Sequence, residues 1–125
     1  MSFGQKQIND LITGTVLCAE LPAAREGDRR FVAVFPYIIN DSGNVSSPDK
    51  LLDSAKTETV LFRLRDCEYP AEYCTNGLQV NDNDVIVLRD EGNIKGISAL
   101  QEMLAEFVSD FSIFVPLWET DDVLY

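Results

Sequence analysis

The stretch RRFVAVFPYII, residues 29–39, places the tightest limit on the fold. Phe31, Ala33, Phe35 and Tyr37 alternate with Val32, Val34 and Ile38, so a strand here is apolar on both faces. Such a strand reads as central in a sheet, and Pro36, which lacks a ladder donor, predicts a bulge or an end nearby. TVLCAEL, 15–21, is a second strand, joined to the first by PAAREGD in a long hairpin. TETVLFRLR, 57–65, sets Val60, Phe62 and Leu64 against Arg63 and Arg65, a strand with one wet side. DVIVLRD, 84–90, is a strand by its β-branched content and is followed by an EGN turn; SIFVPLW, 112–118, is the last strand.

Helical spacing occurs at three places. FGQKQINDLI, 3–12, has Ile8, Leu11 and Ile12 on one side, and Ser47-Pro48 marks a helix start over DKLLDSAK, after the turn-rich stretch at 40–50. The longest helix spans 98–111: Ser98 and Gln101 form an S-x-x-Q capping box, and Leu100, Met103, Leu104, Phe107, Val108 and Phe111 form an apolar stripe. DCEYPAEYCTNG, 66–77, reads as irregular, with a single turn opened by Pro70 and closed by Asn76-Gly77. Together these predict a single α+β domain over 1–125: a mainly antiparallel sheet of about five strands, with one long amphipathic helix, 98–111, packed on a face.

The 125 residues are 46 % hydrophobic, and a chain of this size buries roughly two thirds of its extended surface, so one core is expected. No apolar run approaches the roughly 20 residues of a membrane helix, and MSFGQKQIND has no signal-peptide pattern, which points to the cytosol. Cys18, Cys67 and Cys74 are an odd set without a CxxC pair; free, mostly buried thiols fit them, with a Cys67–Cys74 bridge left open. There is no histidine, which removes Ser-His and Cys-His nucleophiles, a His base and His metal ligands. Acidic neighbours of Cys67 and Cys74 disfavour a thiolate, and EGNIKG matches neither phosphate-binding glycine pattern.

Charge is distributed unevenly. Residues 1–65 hold eight Lys or Arg and eight Asp or Glu, whereas residues 66–125 hold only Arg89 and Lys95 against thirteen acids, so the second half carries the whole net charge of −11. A basic footprint for direct nucleic-acid binding is missing there. On a 98–111 helix Glu102, Glu106 and Asp110 would form one row opposite the apolar stripe, spaced roughly as phosphates are along a strand. Two further acidic patches carry aromatics: Glu68, Tyr69, Glu72 and Tyr73, and the group Glu119, Asp121 and Asp122 between Trp118 and Tyr125. Aromatic anchors inside a charged rim suit a protein interface, although solvated helix acids and core-capping tyrosines explain the same residues. In WETDDVLY, 118–125, the apolar residues are expected to tie the segment down while the acids face outward.

These features point to a cofactor-free, non-enzymatic inhibitor of bacterial immunity-protein or antitoxin type. Its partner would be a basic protein, such as a toxin nuclease whose substrate cleft it occludes; no direct nucleic-acid or membrane binding is expected. A nucleic-acid mimic that blocks a defence enzyme follows from the same charge. A small metal-dependent enzyme centred on Asp82, Asp84 and Asp90 is the alternative of a different class, though the spacing does not fit an EF-hand loop.

Overall fold

A computed structural model describes residues 2–39, 42–46, 58–77 and 79–125. The chain is α+β. Among the described residues six antiparallel strands form its sheet: β1 (Leu17–Leu21), β2 (Asp28–Ile39), β3 (Val45–Ser46), β4 (Leu61–Pro70), β5 (Ile86–Lys95) and β6 (Val115–Pro116). The order is β5-β4-β2-β1-β6, with β3 paired to the far end of β2. β2 is central, as its two apolar faces require. Pro36 is tolerated within it because β1 has already ended opposite Val34, so only β4 runs beside the strand at that point.

The register separates two sheet faces. On one, Leu17, Ala19, Val32, Val34, Phe62 and Leu64 meet α1 (Gln5–Ile12) and α3 (Ile97–Leu104), which bury Leu11, Ile12, Ile97, Leu100 and Leu104. Phe3, Phe111 and Phe114 close this core, their ring centroids 5.0 to 6.4 Å apart. Gln7 helps fix α1 by donating from Nε2 to the carbonyls of Phe111 and Phe114. On the other face Cys18, Phe31 and Tyr69 pack with Tyr73 of α2 (Glu72–Asn76) and with Leu117 and Leu124.

Several sequence expectations are corrected. The helix expected over 98–111 is two turns long: it starts at Ile97 and stops at Leu104, and the amides of Glu106 and Phe107 make tighter i→i−3 bonds to Met103 and Leu104. Asp110 is extended and caps a short 3₁₀ turn, Phe111–Ile113, so its local bonding competes with helix propagation. The Ser98–Gln101 capping box does not form either. Ser98 Oγ donates to Glu58 (2.9 Å), Gln101 accepts the Phe3 amide (2.8 Å), and Gly96 is the N-cap.

The irregular stretch expected from residue 66 is instead strand as far as Pro70, followed by α2 with Gly77 as its left-handed C-cap. The EGN turn is also strand: β5 runs through it, with Asn93 at φ 57° beside one of two register shifts in the β4–β5 ladder. The last strand contracts to Val115–Pro116 between 3₁₀ turns. The helix expected over DKLLDSAK lies outside the described residues.

Gly96 joins β5 to α3 at φ 86°, ψ 157°, a region almost confined to glycine, and a Cβ there would lie 3.1 Å from Glu58 Cα. Gly96→Ala is therefore expected to lower unfolding free energy in urea by about 1 to 3 kcal/mol. Gly92→Ala, where the added carbon meets open space, should change it by less than about 1 kcal/mol.

Candidate protein-interaction surface

The acidic and aromatic residues of 66–73 are mostly inside. Pairing β4 with β2 sets Asp66 opposite Val32 and Glu68 opposite Arg30 on the helix-covered face, where both acids are buried. Arg30 grips Asp66 with a two-bond fork (Nε–Oδ1 2.8 Å, Nη2–Oδ2 2.6 Å), and Arg89 Nη1 approaches the same carboxylate at 3.5 Å. The bond to Asp66 raises the Arg30 pKa. Glu68 accepts the amides of Ala24 (2.8 Å) and Arg25 (3.1 Å), folding the β1–β2 connection over itself. On the opposite face Tyr69 is fully buried and stacked on Phe31 (5.8 Å), and Tyr73 is buried with its hydroxyl on Asp84. Glu72 alone of the expected contact residues Glu68, Tyr69, Glu72 and Tyr73 is exposed. The expected patch is thus corrected to a core feature, because its alternation puts both acids and Tyr69 on covered faces of β4.

The 117–125 segment keeps part of the expected arrangement, with Leu124 packed on the core and Glu119 and Asp121 facing outward, and departs from it at two residues. Trp118 is 75 % exposed, and Asp122 turns inward. Its Oδ1 accepts the Tyr69 hydroxyl (2.7 Å) and the Leu124 amide (3.1 Å), and Cys18 Sγ approaches Oδ2 at 3.6 Å. Tyr69 oxygen in turn accepts the Val123 amide (3.1 Å). Burial and the neighbouring Asp122 push the Cys18 thiol up to about 12, and burial with the Asp122 bond raises Tyr69 well above the usual phenol range. Cys67 and Cys74 are also free thiols, and burial raises the Cys67 pKa. Asp121 is exposed and paired with Arg29 (3.0 Å), which also forks Glu20; Glu119 is exposed.

The row of three helix acids reduces to two. Glu102 is exposed on α3 and Glu106 on the turn after it. Asp110 lies beyond the helix, where bonds from Ser112 Oγ (2.6 Å) and N (3.0 Å) hold its carboxyl below its ordinary pKa. Arginines of the first half absorb other acids of the second: Arg30 takes Asp66, Arg29 takes Asp121, and Arg63 and Arg65 share Asp90. Among the described residues Glu72, Asp82, Glu91, Glu102, Glu106 and Glu119 have no cationic partner. Asp82, Asp84 and Asp90 are not gathered with others into a metal-ligating group among the described residues; Tyr73 holds Asp84 and Arg63 forks Asp90.

A concavity of about 510 Å³, not foreseen from sequence, lies on the tail-covered side of the sheet; Phe35, Arg63, Arg65 and Tyr125 are among its lining residues. Its one sequence signal is the wet side of 57–65, which puts Arg63 opposite Phe35. No helix among the described residues is long and apolar enough to cross a membrane. No protein-family model matches the chain, and neither a curated protein sequence nor a solved structure matches it.

Two outcomes test this site. Tyr69→Phe removes both the donor to Asp122 and the acceptor for Val123, and should cost about 1 to 3 kcal/mol and speed proteolysis within 117–125; Trp118→Ala should stay within about 0.5 kcal/mol of the parent. Asp28 packs beside Glu68 with its Oδ2 buried and lacking a hydrogen-bond partner. Burial and Glu68 raise the Asp28 pKa; for Glu68 the larger burial effect is outweighed by the two amides and Asp28, and its pKa falls. A raised carboxyl pKa supplies stability below its unfolded value that is lost as pH rises through the folded value. Asp28→Asn, which keeps a donor toward Glu68 without needing the proton, should match the parent below about pH 4 and be the more stable protein at pH 7. Urea melts across that range read the difference.

Proposed function

We propose that the chain is an acidic protein-binding inhibitor of immunity-protein or antitoxin type, acting in the cytosol as a binding protein rather than an enzyme. It would neutralise a basic partner, such as a toxin nuclease, by occluding the substrate cleft. The observation that carries this reading is the way charge is partitioned. Each of the six arginines is tied to an acid, and Glu72, Asp82, Glu91, Glu102, Glu106 and Glu119 face solvent without a cationic partner among the described residues. Such a surface raises the encounter rate with a positive partner and repels nucleic acid. Glu102 offers charge from a helix anchored by Leu100 and Leu104 and Glu106 from the turn after it, and the exposed Trp118 beside Glu119 offers an aromatic anchor with an acidic neighbour. Glu68, Tyr69 and Tyr73 drop out of the contact set, since the core holds them.

Mimicry of nucleic acid is less favoured, because a phosphate-like row would have to continue through Asp110, which has left the helix. The test is affinity capture at low salt with the parent and with the Glu102→Lys, Glu106→Lys double variant. The parent should retain a basic protein that elutes as salt rises. The double variant should fold normally and associate at least about tenfold more slowly with that protein, as loss of steering does. An equal association rate would reject the assignment of this surface.

A further inference from the structure

The concavity on the tail-covered side of the sheet has a charge balance opposite to that of the chain. Its lining includes Phe35, Tyr37, Asn93 and Tyr125 together with Arg63 and Arg65. Two guanidinium groups stand over a single carboxylate, Asp90. Arg63 takes it with a full fork, Nε–Oδ1 3.0 Å and Nη2–Oδ2 2.8 Å. What remains for Arg65 is one 3.5 Å approach from Nε to Oδ2. That Nε is buried with no hydrogen-bond partner, and no other Arg65 nitrogen hydrogen-bonds to a described residue.

Arg65 is nevertheless held in place. Its guanidinium lies over the Tyr125 ring at 5.5 Å, and Tyr125 in turn meets Phe35 edge-on at 4.9 Å. On the other wall the Tyr37 hydroxyl donates to Asn93 Oδ1 (2.7 Å) and accepts the Asn93 amide (2.8 Å), which locks both residues and leaves the Asn93 side-chain NH₂ uncommitted. The result is a mostly apolar slot with aromatic walls and one prepositioned guanidinium whose Nε is buried beside Asp90 and whose Nη1–Nη2 edge is unfilled. Its volume, about 510 Å³, is in the range of small-ligand sites. A guanidinium fork matches a carboxylate in plane and spacing, and flat apolar walls select a flat ligand.

We infer that this slot binds a small planar aromatic carboxylate, with the acid group on Arg65 and the ring against Phe35 and Tyr125. The site is separate from the acidic surface of the proposed function and does not depend on it.

Titration of the full chain with 2-naphthoate, followed by calorimetry and by amide and arginine Nε–H resonances, tests this directly. The neutral isostere 2-naphthalenemethanol serves as the matched probe. Naphthoate should saturate with a dissociation constant at or below about 1 mM, which a ligand of this size reaches at ordinary efficiency. The alcohol should bind at least about tenfold more weakly, the size of one charge-assisted pair. Arg65→Met should weaken naphthoate by at least about tenfold and leave the alcohol unchanged. Arg65→Lys, which keeps the charge and is the gentler change for folding, should also lose most of the naphthoate affinity because it lacks the fork. Perturbed resonances should include Arg65 and Asn93. Absence of saturation, equal affinity for acid and alcohol, indifference to both Arg65 variants, or perturbations confined to other surfaces would each overturn the inference.

Discussion

β2 governs the architecture. A strand with Val32 and Val34 on one side and Phe31 and Phe35 on the other cannot leave either face to water, so the fold needs two covers. Helices α1 and α3 supply the first. The second is assembled from smaller parts: α2, whose Tyr73 packs on Tyr69, and the 117–125 segment, whose Leu117 and Leu124 join the same cluster. The second cover is thin, and polar bonds do much of its fastening. Asp122 and the Tyr69 hydroxyl satisfy one another and two amides at once, so the sheet face below them tolerates a hydroxyl and a carboxylate at the edge of an apolar cluster.

Charge burial links the covers to the strand order. Asp66 sits on the helix-covered face, and its partners come from both neighbouring strands, Arg30 from β2 and Arg89 from β5. Both guanidiniums also lie over Phe107, at 6.0 and 4.1 Å, which draws the turn after α3 toward the same point. Replacing such a group by hydrophobic residues is often neutral for stability, whereas removing one partner leaves a stranded charge. Its structural effect is to fix β2, β4 and β5 in one register, since a slip of one residue would carry Asp66 to the other face, away from both arginines.

The legible parts of the fold were those whose signal is local. Alternation in 29–39 marked β2, the apolar stretch 15–21 with its connection PAAREGD marked β1 and the hairpin, and the spacing of Ile8, Leu11 and Ile12 marked α1. Where a distant partner decides the state, local reading failed. Asp66 and Glu68 resemble loop residues until Arg30, thirty-six positions from Asp66, and the amides of Ala24 and Arg25 are set beside them. The 98–111 pattern has helical apolar spacing to its end, yet Asp110 prefers the Ser112 amide, and Val108 and Phe111 reach the core from a turn. The same holds for the site residues. The inward placement of Asp122 depends on Tyr69, and the pairing of Arg65 with an already occupied Asp90 follows only from the β4–β5 register.

β5 is an edge strand of ten residues, with no partner on its outer side among the described residues. Such an edge is a ready template for another copy of the chain. Here the shifts after Phe62 and after Asp66 each put one surplus residue into β5, so a straight strand laid along it would fall out of step twice within its length. Exposed Val87 and Leu88 would otherwise invite stacking, and the kink at Asn93 together with the charges of Asp90 and Glu91 breaks the run beyond them. The irregular ladder thus works as a guard against fibre growth at the most vulnerable margin of the sheet.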